Sequence, residues 1–229
     1  MITLLRLLLA HAVADFLLQT ATMARSKMSP KWLGAHAGIH AAAYVVVLIP
    51  RPWPEIVAIS LGLFVVHATI DWCKAAIGSG SAFAFALDQV AHLVTLVAAA
   101  SLAPTAPFPA ADVLGPIVAS PRWTLLATVY VTAIFGGNYF VQAVVAPFRA
   151  AGAVGDRRGE IVGWFERFVF VTLLASDHAG AVALLVVAKT IVRYPELMGE
   201  SRRAAGVYLI GALASLAVAV AGAAVLRAF

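Results

Sequence analysis

Five histidines and three aspartates of this chain fall into four pairs with i,i+4 spacing: His11/Asp15, His36/His40, His67/Asp71 and Asp88/His92. Residues four apart share one face of an α-helix. Random placement of the chain's 6 His and 6 Asp predicts about 0.6 such pairs. Neutral imidazole and carboxylate are ligands for zinc, iron and manganese, and imidazole also titrates where a proton relay needs it to. Two of the pairs sit in near-copies, "HAVADF" (11–16) and "HATIDW" (67–72).

The elements that carry them are apolar. Of 229 residues, 62% are hydrophobic and 12% charged, with a mean hydropathy of +0.94. A soluble domain is nearer half apolar and a quarter charged. The apolar runs are continuous rather than alternating, which excludes a membrane barrel and predicts an all-α, polytopic integral membrane protein. About eight helices are expected, near 2–21, 32–49, 54–76, 82–103, 122–147, 159–175, 178–193 and 204–226, or seven if no turn forms at "SDHAG" (176–180). The first run is read as retained rather than as a signal peptide, because a motif lies inside it and no basic residue precedes Arg6. The net charge of +5 belongs to loops and needs no nucleic-acid partner. The single Cys73 excludes an internal disulfide; lying off the motif face, it reads as a buried thiol.

Ten basic loop residues, among them Arg25, Lys27, Lys31, Lys74, Arg149 and Arg158, fall on one side of an eight-helix topology, and Arg51, Arg122 and Arg227 on the other. The positive-inside rule makes the first side cytoplasmic and both termini external. Three parts follow: a four-helix His/Asp bundle (1–103), a Pro-rich external connection (104–121) with room for a short interfacial helix, and a C-terminal helical half (122–229). Within the bundle, helices 1 and 3 share a direction and the H-A-x-x-D-aromatic stretch, so two duplicated hairpins are expected about an axis along the membrane normal. All four pairs then share the cytoplasmic half of the bilayer.

An ionised Asp at mid-membrane costs roughly 2.5–3.5 kcal/mol. The eight groups must therefore satisfy one another, as a structural polar bundle or proton relay, or bind metal. Helical bundles build dinuclear sites from ligand pairs projecting inward from four helices. The stronger expectation is two divalent ions, zinc first, with iron or manganese as alternatives. The ligand candidates are His11, Asp15, His36, His40, His67, Asp71, Asp88 and His92. Gln19, one turn past Asp15, and Gln89 are candidates to orient a ligand or water. In the second half, Arg167, Lys189 and Arg193 form a candidate anion site with Glu166 as pairing partner; a Glu166–Lys189 ion pair with Arg193 reaching to the interface is the competing reading.

"LLLAHAVADFLLQT", "HAGIHAAA", "HATIDWCK" and "ALDQVAHL" resemble a prokaryotic family of small multi-pass membrane proteins catalogued as a domain of unknown function. "GEIVGWFERFVF" and "AKTIVRYPEL" resemble that family's second half. The resemblance implies the prokaryotic inner membrane but no reaction. A looser likeness, in chemistry only, is to membrane-bound metal-dependent hydrolases. The leading expectation is a metal-dependent hydrolase acting on a membrane lipid or another small amphiphilic or phosphate-bearing substrate, with Asp15, Asp71 or Asp88 as base where not a ligand. A divalent cation transporter and a di-iron lipid oxidoreductase are the alternatives. No protein partner is legible.

Overall fold

The computed structural model describes residues 1–49, 51–78, 80–103, 115, 119–149, 157–199 and 202–229. Every element among them is helical: α1 (Ile2–Phe16), α2 (Ala21–Arg25), α3 (Pro30–Leu48), α4 (Trp53–Ile77), α5 (Ala82–Leu102), α6 (Pro121–Val131), a π turn (Thr132–Gly136), α7 (Gly137–Val145), a 3-10 turn (Ala146–Phe148), α8 (Arg157–Ala175), α9 (Ala179–Gly199) and α10 (Arg202–Ala228). Four stretches are long and apolar enough to cross a membrane: Trp53–Ile77, Ala82–Leu102, Pro121–Phe148 and Ala204–Ala228. The expected connection at 104–121 lies almost wholly outside the described residues.

The helix boundaries follow local chemistry. Pro30 sits in the first turn of α3, where its missing N–H costs nothing. Ser81 Oγ accepts from the Ala84 amide at the start of α5. Helix α4 ends at Gly78, whose φ of 69° closes the last turn in the left-handed region. The first helix is shorter than its apolar run suggests. It stops at Phe16 because Thr20 Oγ1 accepts from the Met23 amide and opens α2, a local bond that competes with continued helix. Between α8 and α9 the turn is formed: Asp177 takes φ 61°, and the His178 amide donates to the Leu173 carbonyl at 2.8 Å.

The chain divides into two compact units, Met1–Val131 and Thr132–Phe229. In the first, α1 packs on α3, α5 and α6, and α4 packs on α3 and α5. Helix α6 falls in this unit rather than with the C-terminal half because it lies along α1. The central α1 is buried on most sides, whereas α5 buries only Asp88, His92 and Leu96. Leu61 and Val65 of α4 and Leu87, Val90 and Val94 of α5 are exposed, as on faces that meet lipid. Cys73 is exposed rather than buried; it lies two residues past Asp71, off the inward face that its neighbours Asp71 and His67 occupy. A layer of Leu7, Tyr44, Leu48, Ile56, Leu63 and Leu96 forms the unit's apolar core. In the second unit, α10 packs on α7 and α8, and α9 packs on α8.

Candidate metal centre

Helices α1, α3, α4 and α5 each turn their i,i+4 pair inward, and all eight residues are buried. The pairs meet. Asp15 Oδ1 lies 3.1 Å from His36 Nε2 and 3.2 Å from His40 Nε2, and Asp15 Oδ2 lies 3.3 Å from His11 Nε2. Asp71 Oδ2 lies 3.3 Å from His36 Nε2 and 3.4 Å from His67 Nε2. His92 Nε2 stands 3.6 Å from Asp88 Oδ1 and 3.8 Å from Asp71 Oδ1. His67 is at the middle of the rings, with centroids 3.7 Å from His40, 4.3 Å from His92, 5.1 Å from His36 and 5.5 Å from His11.

Proximity here is not hydrogen bonding throughout. Six atoms of the cluster have no hydrogen-bond partner among the described residues: His11 Nε2, both ring nitrogens of His67, His92 Nε2, Asp71 Oδ2 and Asp88 Oδ1. Three sets of side chains each bring candidate ligand atoms within 4.8 Å of one another: Asp15, His36, His40 and His67; His11, His67 and His92; and Asp71, Asp88 and His92. Such sets can hold a metal ion. Four ligands at about 2.0 Å around a tetrahedral ion stand about 3.3 Å apart, and the nitrogen–oxygen separations of the cluster run from 3.1 to 3.8 Å.

Three further residues complete the cluster. Lys27 Nζ donates to Asp71 Oδ1 at 2.7 Å, and Lys74 Nζ donates to Asp88 Oδ2 at 2.7 Å. Each aspartate thus gives one oxygen to an ammonium and turns the unpartnered one toward imidazole. In the sequence both lysines read as loop charge, and nothing local ties either one to its aspartate on another helix. Tyr44, one turn after His40, places its hydroxyl 3.2 Å from His11 Nδ1 and 3.4 Å from His40 Nδ1. The tautomer of each ring decides whether its Nδ1 donates to this hydroxyl or accepts from it.

Gln19 does not extend the His11/Asp15 face, because α1 ends before it. It still reaches the cluster from the α1–α2 connection, with Nε2 3.0 Å from His36 Nε2. The Gln89 amide donates to Asp88 Oδ2 at 3.2 Å and to Asp15 Oδ2 at 3.4 Å.

The other candidate residues lie in the second unit. Lys189 Nζ is 2.6 Å and 2.7 Å from the two oxygens of Glu166. Arg193 lies over the Tyr208 ring, 5.8 Å from its centroid. Arg167 is fully buried and donates to the Ile134 carbonyl from Nε (3.2 Å) and one terminal nitrogen (2.8 Å), and to Ser215 Oγ (3.2 Å).

Residues 3–110 match the model of a family described as protein of unknown function, DUF3307. The matched stretch holds all eight histidines and aspartates of the cluster, together with Lys27, Tyr44 and Lys74. The second-half segments "GEIVGWFERFVF" and "AKTIVRYPEL" lie beyond it. No curated protein and no solved structure matches the chain.

Proposed function

We propose that the chain is a membrane-embedded hydrolase whose His/Asp cluster holds two divalent metal ions. One observation carries this reading: six buried ring-nitrogen and carboxylate atoms of a single cluster have no hydrogen-bond partner among the described residues. Each such atom costs about 1–3 kcal/mol, and six together rival the whole stability of a domain, about 5–15 kcal/mol. A cation bound at the centre removes those costs at once. A purely structural bundle or a hydrogen-bonded proton relay would have spent the same groups on each other.

Two of the ligand sets share no residue. Asp15, His36, His40 and His67 supply four ligands, and Asp71, Asp88 and His92 supply three. Four ligands suit a closed zinc site, and three leave the open coordination position that hydrolysis requires. The first set comes from the α1–α3 hairpin plus His67, the second from the α4–α5 hairpin alone, as a duplicated hairpin would give. Iron or manganese would suit the same donors.

Charge points to the substrate. With neutral imidazoles, three aspartates and two lysines leave the cluster at about −1, and two divalent ions carry it to about +3. A phosphate-bearing or other anionic amphiphile offsets that excess. Bound ions would supply an activated water for ester hydrolysis; an aspartate oxygen outside the coordination sphere would take the water's proton and return it to the departing alkoxide. Access is from one side. Lys74 and Gln89, only part-buried, stand at the rim of the cluster. Behind it, Leu7, Leu63 and Leu96, each about a turn from His11, His67 and His92, belong to the apolar core. That layer disfavours the through-path a cation transporter needs. Lys27 and Lys74 put the rim on the cytoplasmic face of an eight-span topology in the prokaryotic inner membrane, with both termini external.

Elemental analysis of detergent-purified protein, prepared without added metal or chelator, tests the reading. About two zinc ions per chain are expected. One ion per chain removes the dinuclear centre. Iron with a visible absorbance or EPR signal turns the reading to a lipid oxidoreductase, and a folded protein without metal above background overturns it.

A further inference from the structure

Of the five imidazoles in the cluster, His67 is the one with both ring nitrogens buried and without a hydrogen-bond partner among the described residues. A histidine that holds one ion through one nitrogen normally gives its other N–H to a carboxylate, a carbonyl or water. Polar groups of that kind stand beside its neighbours. The Tyr44 hydroxyl faces Nδ1 of His11 and of His40, and the Gln19 side chain lies 3.0 Å from His36 Nε2. The Asp71 oxygen 3.4 Å from His67 Nε2 is itself without a hydrogen-bond partner among the described residues, so it does not satisfy the ring.

The place of the ring in the cluster gives those two nitrogens a use. His67 neighbours ligands of both ion positions, with ring centroids 3.7 Å from His40 and 4.3 Å from His92. It belongs to the set Asp15, His36, His40 and His67, and also to the set His11, His67 and His92. The second of these shares His92 with Asp71 and Asp88, so an ion seated at His92 has His67 within reach. The lone pairs of the two ring nitrogens point away from each other, and one ion cannot take both. Two ions can.

We propose that His67 bridges the two ions, one at each ring nitrogen, the first held also by Asp15, His36 and His40 and the second by Asp71, Asp88 and His92. The bridge rests on the two-ion reading above and adds a link between the sites. As the second ion binds it replaces the ring N–H proton, which passes to water, and the imidazolate gives one lone pair to each ion. A fourth protein ligand still leaves the second ion a position for water, because catalytic zinc expands to five-coordinate.

The test uses full-length protein in neutral detergent, stripped with chelator and loaded with copper(II), which such donor sets bind more tightly than zinc. Unpaired electrons on two copper ions joined by imidazolate pair at liquid-helium temperature. Two coppers per chain are expected, with an EPR spin count at least tenfold below the copper bound. In His67→Gly each ion keeps three ligands, and the full spin count should appear. Added imidazole should restore the pairing there, whereas 1-methylimidazole, which has one ligating nitrogen, should not. Two coppers with full spin in the unaltered protein overturn the bridge and leave the two-ion reading standing; fewer than two overturn both. Pairing that persists in His67→Gly alone, or that returns with both additives or with neither, overturns the bridge. If that variant fails to fold, Asp71→Asn decides, because Asp71 also reaches His36 at 3.3 Å and is placed to be a rival bridge. Pairing should survive Asp71→Asn, and its loss overturns the assignment to His67.

Discussion

Arg167 in the second unit and His67 in the first are 2% and 3% exposed, and their surroundings treat them in opposite ways. The Arg167 guanidinium is seated. A π turn over Thr132–Gly136 interrupts the regular ladder, and the Ile134 carbonyl within it accepts two N–H groups from Arg167. Gly137 and Gly163 make room: a Cβ on Gly137 would stand 3.1 Å from Arg167 Cδ, and one on Gly163 would stand 3.2 Å from a terminal nitrogen. Neither ring nitrogen of His67 has a hydrogen-bond partner among the described residues, although four other imidazoles and two aspartates surround it. A buried polar group that is fully bonded stabilises the fold that holds it. One left open is held in place by its neighbours at the expense of stability, and that expense is the mark of a binding group.

The largest effect should come from breaking the seated side of this comparison. Arg167→Met leaves the Ile134 carbonyl and Ser215 hydroxyl without their donor in a buried site, and should cost about 3–5 kcal/mol in a detergent-based unfolding titration. Metal content should not change. A loss below about 1 kcal/mol would mean that the arginine is not a structural member and would erase the contrast.

His67→Leu should have a sign that depends on metal. In chelated protein it removes two unsatisfied nitrogens and replaces them with an apolar side chain, so stability should hold or rise by about 1–2 kcal/mol. In metal-replete protein it removes one of the four ligands of the first set and with it the mass-action stabilisation, about 2.7 kcal/mol at a hundredfold excess over Kd. Paired thermal melts with and without chelator read both halves. The same loss in both conditions would make His67 an ordinary structural residue.

Tyr44→Phe sharpens the picture with the smallest change. Its hydroxyl touches no proposed ligand atom but spans the Nδ1 atoms of His11 and His40. Loss of that orienting contact should weaken metal affinity about tenfold, seen by competition with a chromophoric chelator, and leave stoichiometry intact. Unchanged affinity would show that the imidazoles are oriented by Asp15 alone.

How much of this could be read from the chain depends on the range of the interaction. The four His/Asp pairs were legible because a helix places i and i+4 on one face whatever surrounds it, and the hydropathy of the runs marked them as helices. The same periodicity overran the end of α1: the apolar pattern continues past Phe16, but the Thr20 cap restarts the helix and moves Gln19 off the expected face. Glu166 and Lys189, 23 residues apart, could be paired on paper because opposite charges on neighbouring helices within apolar surroundings have few other partners. Lys27 could not be assigned to Asp71 across 44 residues, since nothing local ties a loop ammonium to a carboxylate on a later helix.

By itself, the sequence determined that the chain is helical and apolar enough for a membrane, and that its histidines and aspartates line single faces; both follow from composition and from 3.6 residues per turn. Only the tertiary structure decided which of those faces share a centre. Asp15 meets His36, His40 and His67, Asp71 and Asp88 surrender one oxygen each to lysine, and Arg167 finds the carbonyl of Ile134 rather than an anion. These choices are made by how helices pack and by which few atoms then lie within about 3 Å, distances to which periodicity along a single chain is blind.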